Sequence, residues 1–111
     1  KGGERMQAIL NCFTRMRFVD KKTAELDFKQ KEDIGSAPKH LIPWFEYSKR
    51  PMAGTPICFG HWSMLGLIRR DDIVAIDTGC LWGGKLTAVR FPDRRIYQED
   101  CPCWADPFKY K

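Results

Sequence analysis

The sequence has 111 residues, 43% of them hydrophobic and 30% charged, the balance of one modest globular domain rather than a disordered segment. No apolar run approaches the roughly 20 residues of a membrane-spanning helix, and no signal-peptide core opens the chain. The net charge of +5 is spread along the chain, with 11 basic and 7 acidic residues through Thr55 and 8 and 7 beyond it. Such a surface suits polyanionic ligands in general and selects none of them.

Glu4 to Met16 reads as a helix, because Met6, Ile9, Leu10 and Phe13 recur at helical spacing on one face. Arg15 to Val19 and Glu25 to Lys29 each alternate polar and apolar residues around Asp20-Lys21-Lys22-Thr23, the pattern of a hairpin of two short strands. Arg15 and Arg17 then share one side of the first strand, where paired guanidinium groups could clamp a polyphosphate or simply line a solvated face. Gln30 to Lys39 is polar and carries Gly35, Ser36 and Pro38, so it reads as a loop. Leu41 to Phe45 is apolar but contains Pro43, which favours a packed loop over a central strand. Pro51 to Pro56 reads as a connection.

The second half predicts strands at Ile57–Phe59, Ile73–Ile76 and Leu86–Phe91. A turn at Pro92-Asp93 leads to a hairpin partner at Arg95–Gln98. From Glu99 onward the mixture of Pro102, Pro107, aromatic and charged residues reads as a tail. Two of the strands end in glycine-flanked polar residues, Gly60-His61 and Asp77-Thr78-Gly79, where a rigid sheet can present a reactive group. His61 is the foremost metal-ligand or acid–base candidate. Asp77 either holds that imidazole through its second ring nitrogen or bonds its own turn backbone. Trp82-Gly83-Gly84-Lys85 has glycines and a cation for phosphate but lacks the spacing of a P-loop.

The five cysteines are odd in number, and only Cys101 and Cys103 lie close together, which argues against a disulfide framework and for the cytoplasm. Cys58 and Cys80 fall in apolar runs and read as small buried hydrophobes. Cys101-Pro102-Cys103 lacks zinc-ribbon spacing and reads as two tail thiols.

Five ordered blocks resemble one family: Asn11-Cys12-Phe13-Thr14-Arg15-Met16-Arg17-Phe18, Pro43-Trp44-Phe45, Phe59-Gly60-His61-Trp62, Ile76-Asp77-Thr78-Gly79-Cys80 and Trp82-Gly83-Gly84-Lys85-Leu86-Thr87. Together they resemble the C-terminal part of the bacterial symmetrical bis(5′-nucleosyl)-tetraphosphatases, PPP-type metallophosphoesterases, across roughly residues 4 to 98. The resemblance implies an α+β chain, the C-terminal part of an α/β/β/α sandwich. It would comprise an N-terminal helix, a short hairpin and then antiparallel or mixed strands. Residues 1–98 would form an incomplete domain segment and residues 99–111 a tail, with Lys1 an arbitrary break in a longer protein.

The implied function is hydrolysis of diadenosine tetraphosphate, a small dinucleoside polyphosphate, into two ADP at a binuclear manganese or cobalt centre in the cytoplasm. His61 matches the family's late metal-binding histidine, Asp77 and Thr78 the strand-end block after it, and Arg15 and Arg17 a segment expected to help with the polyphosphate. The family's Gly-Asp-x-His-Gly, Gly-Asn-His-Asp/Glu and His-Ala-Gly blocks are absent, so one metal ligand remains and no catalytic residue is expected here. The chain alone is therefore expected to be inactive. It should also expose Trp44, Phe45 and Trp62, for want of the missing N-terminal part of the domain; their burial would count against the fragment reading. The other readings are a small basic nucleic-acid-binding module and a degenerate, non-catalytic remnant. The scattered basic residues argue against the first.

Overall fold

The computed structural model describes residues 1–31 and 33–106. Among these residues the fold is α+β, with one α-helix followed by short strands in three small sheets. The chain divides into two compact units, Lys1–Thr55 and Pro56–Lys111, rather than forming the single unit that its length suggested. No helix among the described residues is long and apolar enough to cross a membrane.

In the first unit, helix α1 spans Gly2–Arg15, with Glu4 in its first turn and Arg15 in its last, each of the sign the helix dipole favours. It ends where Met16 turns to an extended conformation, ψ 137°, while the Met16 N–H still reaches the Cys12 carbonyl at 3.3 Å. The periodic apolar stripe is real but uncovered. Met6, Ile9, Leu10 and Phe13 are 59, 41, 56 and 78% exposed, and no residue of the helix is buried.

Strand β1 (Phe18–Asp20) lies between β2 (Leu26–Asp27) and β3 (Leu41–Pro43), both antiparallel to it. The hairpin forms as expected from the alternation, with Phe18 opposite Asp27 and Val19 opposite Leu26. Its strands are shorter than the pattern suggested, because Asp20 organises the turn. The carboxylate accepts from the backbone N–H groups of Lys22 (2.8 Å) and Thr23 (3.1 Å), which holds its pKa below the usual carboxylate value.

Leu41–Pro43 is a strand, which corrects the expectation of a packed loop. The proline is accommodated because β3 is an edge of its sheet, where a missing N–H costs little. The Trp44 N–H donates to the Arg17 carbonyl at 2.9 Å, and the Trp44 and Phe45 rings meet edge to face at 5.6 Å. The buried apolar side chains described in this unit are Phe18, Val19, Leu41, Pro43, Trp44 and Phe45.

In the second unit, β4 (Ile57–Phe59) runs parallel to β6 (Ile73–Ala75), and β5 (Ile68–Arg69) pairs antiparallel on the other side of β6. Central β6 is apolar throughout and wholly buried, as a strand covered on both faces must be. A second sheet joins β7 (Asp77–Thr78), β8 (Lys85–Arg90) and β9 (Arg95–Asp100). The expected β8–β9 hairpin is present in full register, from Lys85 opposite Asp100 to Arg90 opposite Arg95. Trp62, Ile73, Val74 and Ala75 are the buried apolar residues here.

Trp44, Phe45 and Trp62 are therefore buried, at 6, 5 and 2% exposure, against the expectation that all three would be bare. Their burial weighs against an incomplete domain. The uncovered apolar surface lies instead along α1.

Two expectations for the cysteines are overturned. Cys80 and Cys101 form a disulfide with Cα atoms 5.2 Å apart, and Cys58 is exposed rather than buried. Pairing across 21 positions is invisible to a search for neighbouring thiols, and it depends on β8 and β9 folding back to bring the two ends together. The segment read as a tail is likewise anchored. Glu99 and Asp100 complete β9, the Cys101 N–H donates to Gly84, and the Trp104 N–H donates to Leu81, both at 3.0 Å. Residues 107–111 of that segment lie outside the described residues. The unreduced, denatured chain should accordingly show three thiols reactive to Ellman's reagent, Cys12, Cys58 and Cys103, and five after reduction. Five reactive thiols before reduction would show that the bond does not form.

Candidate functional site

The parallel pair β4–β6 sets Phe59 opposite Ala75, so the chain leaves both strands at the same carboxyl end. Gly60-His61 continues from one and Ile76-Asp77 from the other, and the Ile76 N–H donates to the Phe59 carbonyl at 3.0 Å. A Cβ on Gly60 would stand 4.0 Å from that of Asp77, so the two exits run side by side. Loops at the carboxyl ends of parallel strands are a common place for ligands. His61 sits there exposed and with φ +74°, a left-handed conformation uncommon outside glycine. Strained backbone of this kind persists where its surroundings enforce it, and it is frequent at functional sites.

Of the two roles expected for Asp77, the turn role is present: its Oδ1 accepts from the Gly79 N–H at 3.1 Å. Thr78 faces inward, its hydroxyl 2.5 Å from that of buried Thr87, which also accepts from Gln98 Nε2 at 3.1 Å. This side-chain chain ties β7, β8 and β9 together beneath the turn.

The glycines of Trp82-Gly83-Gly84-Lys85 do not cradle phosphate. Gly83 and Gly84 donate their N–H groups to the Cys80 and Gly79 carbonyls, at 3.1 and 2.9 Å, and Lys85 is paired with Asp100. Gly84 is there because nothing larger fits: a Cβ would stand 2.2 Å from the Thr78 carbonyl oxygen.

Arg15 and Arg17 belong to the first unit, and they do not share a strand face as expected. Arg15 closes α1, with its guanidinium 5.1 Å from the centre of the Phe28 ring, whereas Arg17 lies in the link before β1. They are nonetheless close enough to act on one another. Burial first, and the Arg15 charge second, push the Arg17 pKa down, and Arg17 Nε is buried with no hydrogen-bond partner. A buried, unpaired guanidinium nitrogen beside a second cation is a costly arrangement that an anion would relieve.

Among the described residues, no three His, Cys, Asp or Glu side chains gather as a metal ion requires. The described residues by themselves thus do not fit a binuclear centre. His61 is one possible ligand, and no described residue around it completes a set.

No protein-family model matches the sequence. By fold, the chain is similar to a solved structure described as "a putative diadenosine tetraphosphatase", with a TM-score of 0.56 at 23% identity over 79% of this chain and 36% of that one. By sequence, it is homologous to proteins named symmetrical bis(5′-nucleosyl)-tetraphosphatase. The relative from Chromobacterium violaceum is 45% identical over 106 residues, covering 96% of this chain. Those from Bordetella pertussis and Delftia acidovorans are 42 and 45% identical over 106 residues, covering 96 and 92%. The chain spans under two-fifths of the length of these relatives, 37 to 38%.

Proposed function

We propose that this chain is the C-terminal part of a metal-dependent hydrolase that splits diadenosine tetraphosphate symmetrically into two ADP, and that it has no activity alone. The observation that carries the reading is identity of 42 to 45% along nearly the whole chain with proteins named for that activity. His61 would serve as one ligand of a divalent-metal pair, manganese or cobalt, whose other ligands must come from residues outside this chain. The pair would supply an activated water and neutralise charge on the attacked phosphate. Arg15 and Arg17 would receive the polyphosphate, which explains an arginine nitrogen left buried and unpaired.

The exposed stripe of α1 suits the same reading, since Met6, Leu10 and Phe13 would be covered by the rest of the domain. A cytoplasmic location goes with it. The Cys80–Cys101 bond stands against that location, because structural disulfides are rare there. A nucleic-acid-binding surface is disfavoured by pairing: Arg70, Lys85 and Arg90 are each held by an aspartate.

The test compares the 111-residue chain with a chimera in which it replaces the matching segment of the Chromobacterium violaceum relative. Both are incubated with diadenosine tetraphosphate and Mn2+. ADP release by the chimera alone is the expected result. Metal-dependent ADP from the short chain, or none from a folded chimera, would overturn the proposal.

A further inference from the structure

A cavity of about 360 Å³ opens at the other end of β6 from His61, between the turn that leads into that strand and the β8–β9 hairpin. Its volume lies within the range of small-ligand pockets, which begins at about 300 Å³. Three arginines reach it: Arg69 at the end of β5, Arg70 in the turn and Arg94 at the tip of the hairpin.

Their states differ. Arg70 is spoken for, because Nε and Nη2 grip Asp72 at 2.9 and 2.7 Å. Arg94 is locked in place, donating to the carbonyls of Arg70 (2.6 Å) and Asp71 (3.1 Å) from a backbone at φ +59°. Carbonyls orient a guanidinium without cancelling its charge, and two bonds leave further N–H donors for another acceptor. Among the described residues, neither Arg69 nor Arg94 has a carboxylate within ion-pair distance. Asp71 is the one acidic side chain on the rim. The floor is aliphatic, with Val74 buried at its base and Val89 and Ile96 part-exposed on its walls.

We propose that this cavity is a binding site for an organic phosphate, with the phosphate between Arg69 and Arg94 and the apolar body of the ligand against Val74, Val89 and Ile96. Two cations without carboxylate partners match a dianionic phosphate, whereas a single carboxylate would neutralise only one of them. The aliphatic floor requires a ligand with an apolar portion, which inorganic phosphate lacks. The site stands apart from the proposed metal end, so its ligand need not be the hydrolysed substrate.

The experiment is a titration of the isotopically labelled 111-residue chain with AMP, followed by amide and methyl NMR shifts, with inorganic phosphate and adenosine in parallel. AMP should shift Val89, Ile96 and Arg94 saturably, and either half-ligand should bind at least tenfold more weakly. Arg69→Gln removes one cation from an edge position and should weaken AMP at least tenfold, whereas His61→Asn, which keeps the left-handed backbone, should leave the titration unchanged. No saturable shift with AMP, equal binding of adenosine, or an Arg69→Gln variant as tight as the parent would each overturn the site. Loss of binding in folded His61→Asn would do the same, by placing AMP at the other end of β6.

Discussion

Gly84→Ala is expected to cost more than about 3 kcal/mol, beyond the usual range for forcing extra volume into a packed site. The new methyl would meet the Thr78 carbonyl oxygen at 2.2 Å and that of Gly79 at 3.0 Å, and both obstacles are backbone. Neither can move independently. Thr78 belongs to β7 and is paired with Lys85, and Gly79 accepts from the N–H groups of Trp82 and Gly84 while sitting at φ +77°. The turn is further bound to the end of β9 by Cys80–Cys101, so relieving the clash means separating β7 from β8. Gly54→Ala is the matched control, since a Cβ there meets nothing within 4 Å, and its stability should move by no more than about 1 kcal/mol. Urea midpoints for the two variants decide the matter. A loss below about 1 kcal/mol for Gly84→Ala would mean that the turn is not built as described.

The second large effect falls on activity. In the chimera with the Chromobacterium violaceum relative, replacing His61 should lower kcat/KM at limiting metal by at least about 100-fold. Changes to groups that merely support a metal ligand already cost about 10- to 100-fold. Alanine alone would confound two causes, because His61 has φ +74° and alanine tolerates that backbone poorly. Asparagine is the discriminating replacement, since it accepts the left-handed region readily while lacking the imidazole. His61→Asn should melt near the parent temperature and still lose the activity, with part of the loss recovered at high metal concentration. Near-parental rates for His61→Asn at limiting metal would remove the histidine from the ligand set.

Elements with strong local signals were legible in advance. The α1 periodicity, the alternation around Asp20 and the apolar runs at Ile57, Ile73 and Leu86 all matched the structure to within a few residues. β5 leaves no signal because Ile68–Arg69 is too short to show a period, and the proline of β3 suggests a loop because it distinguishes an edge from a centre only once the sheet is known. His61 and Asp77 are legible as candidates from their place after apolar strands. The turn bond of Asp77 depends on the position of one backbone N–H, that of Gly79.

Residue order by itself carries the resemblance to a family, since five spaced blocks and an apolar period survive without any knowledge of contacts. It also determined which groups are chemically able to bind metal or phosphate. Only the tertiary structure decided which of them are free to do so. Lys85 is paired with Asp100 and Cys80 with Cys101, while Arg17 Nε, Arg69 and Arg94 are left without an acidic partner among the described residues. The physical reason is that periodicity records which face of an element is apolar or charged. What covers or neutralises that face is set by residues brought near through strand pairing, at separations that no local pattern encodes.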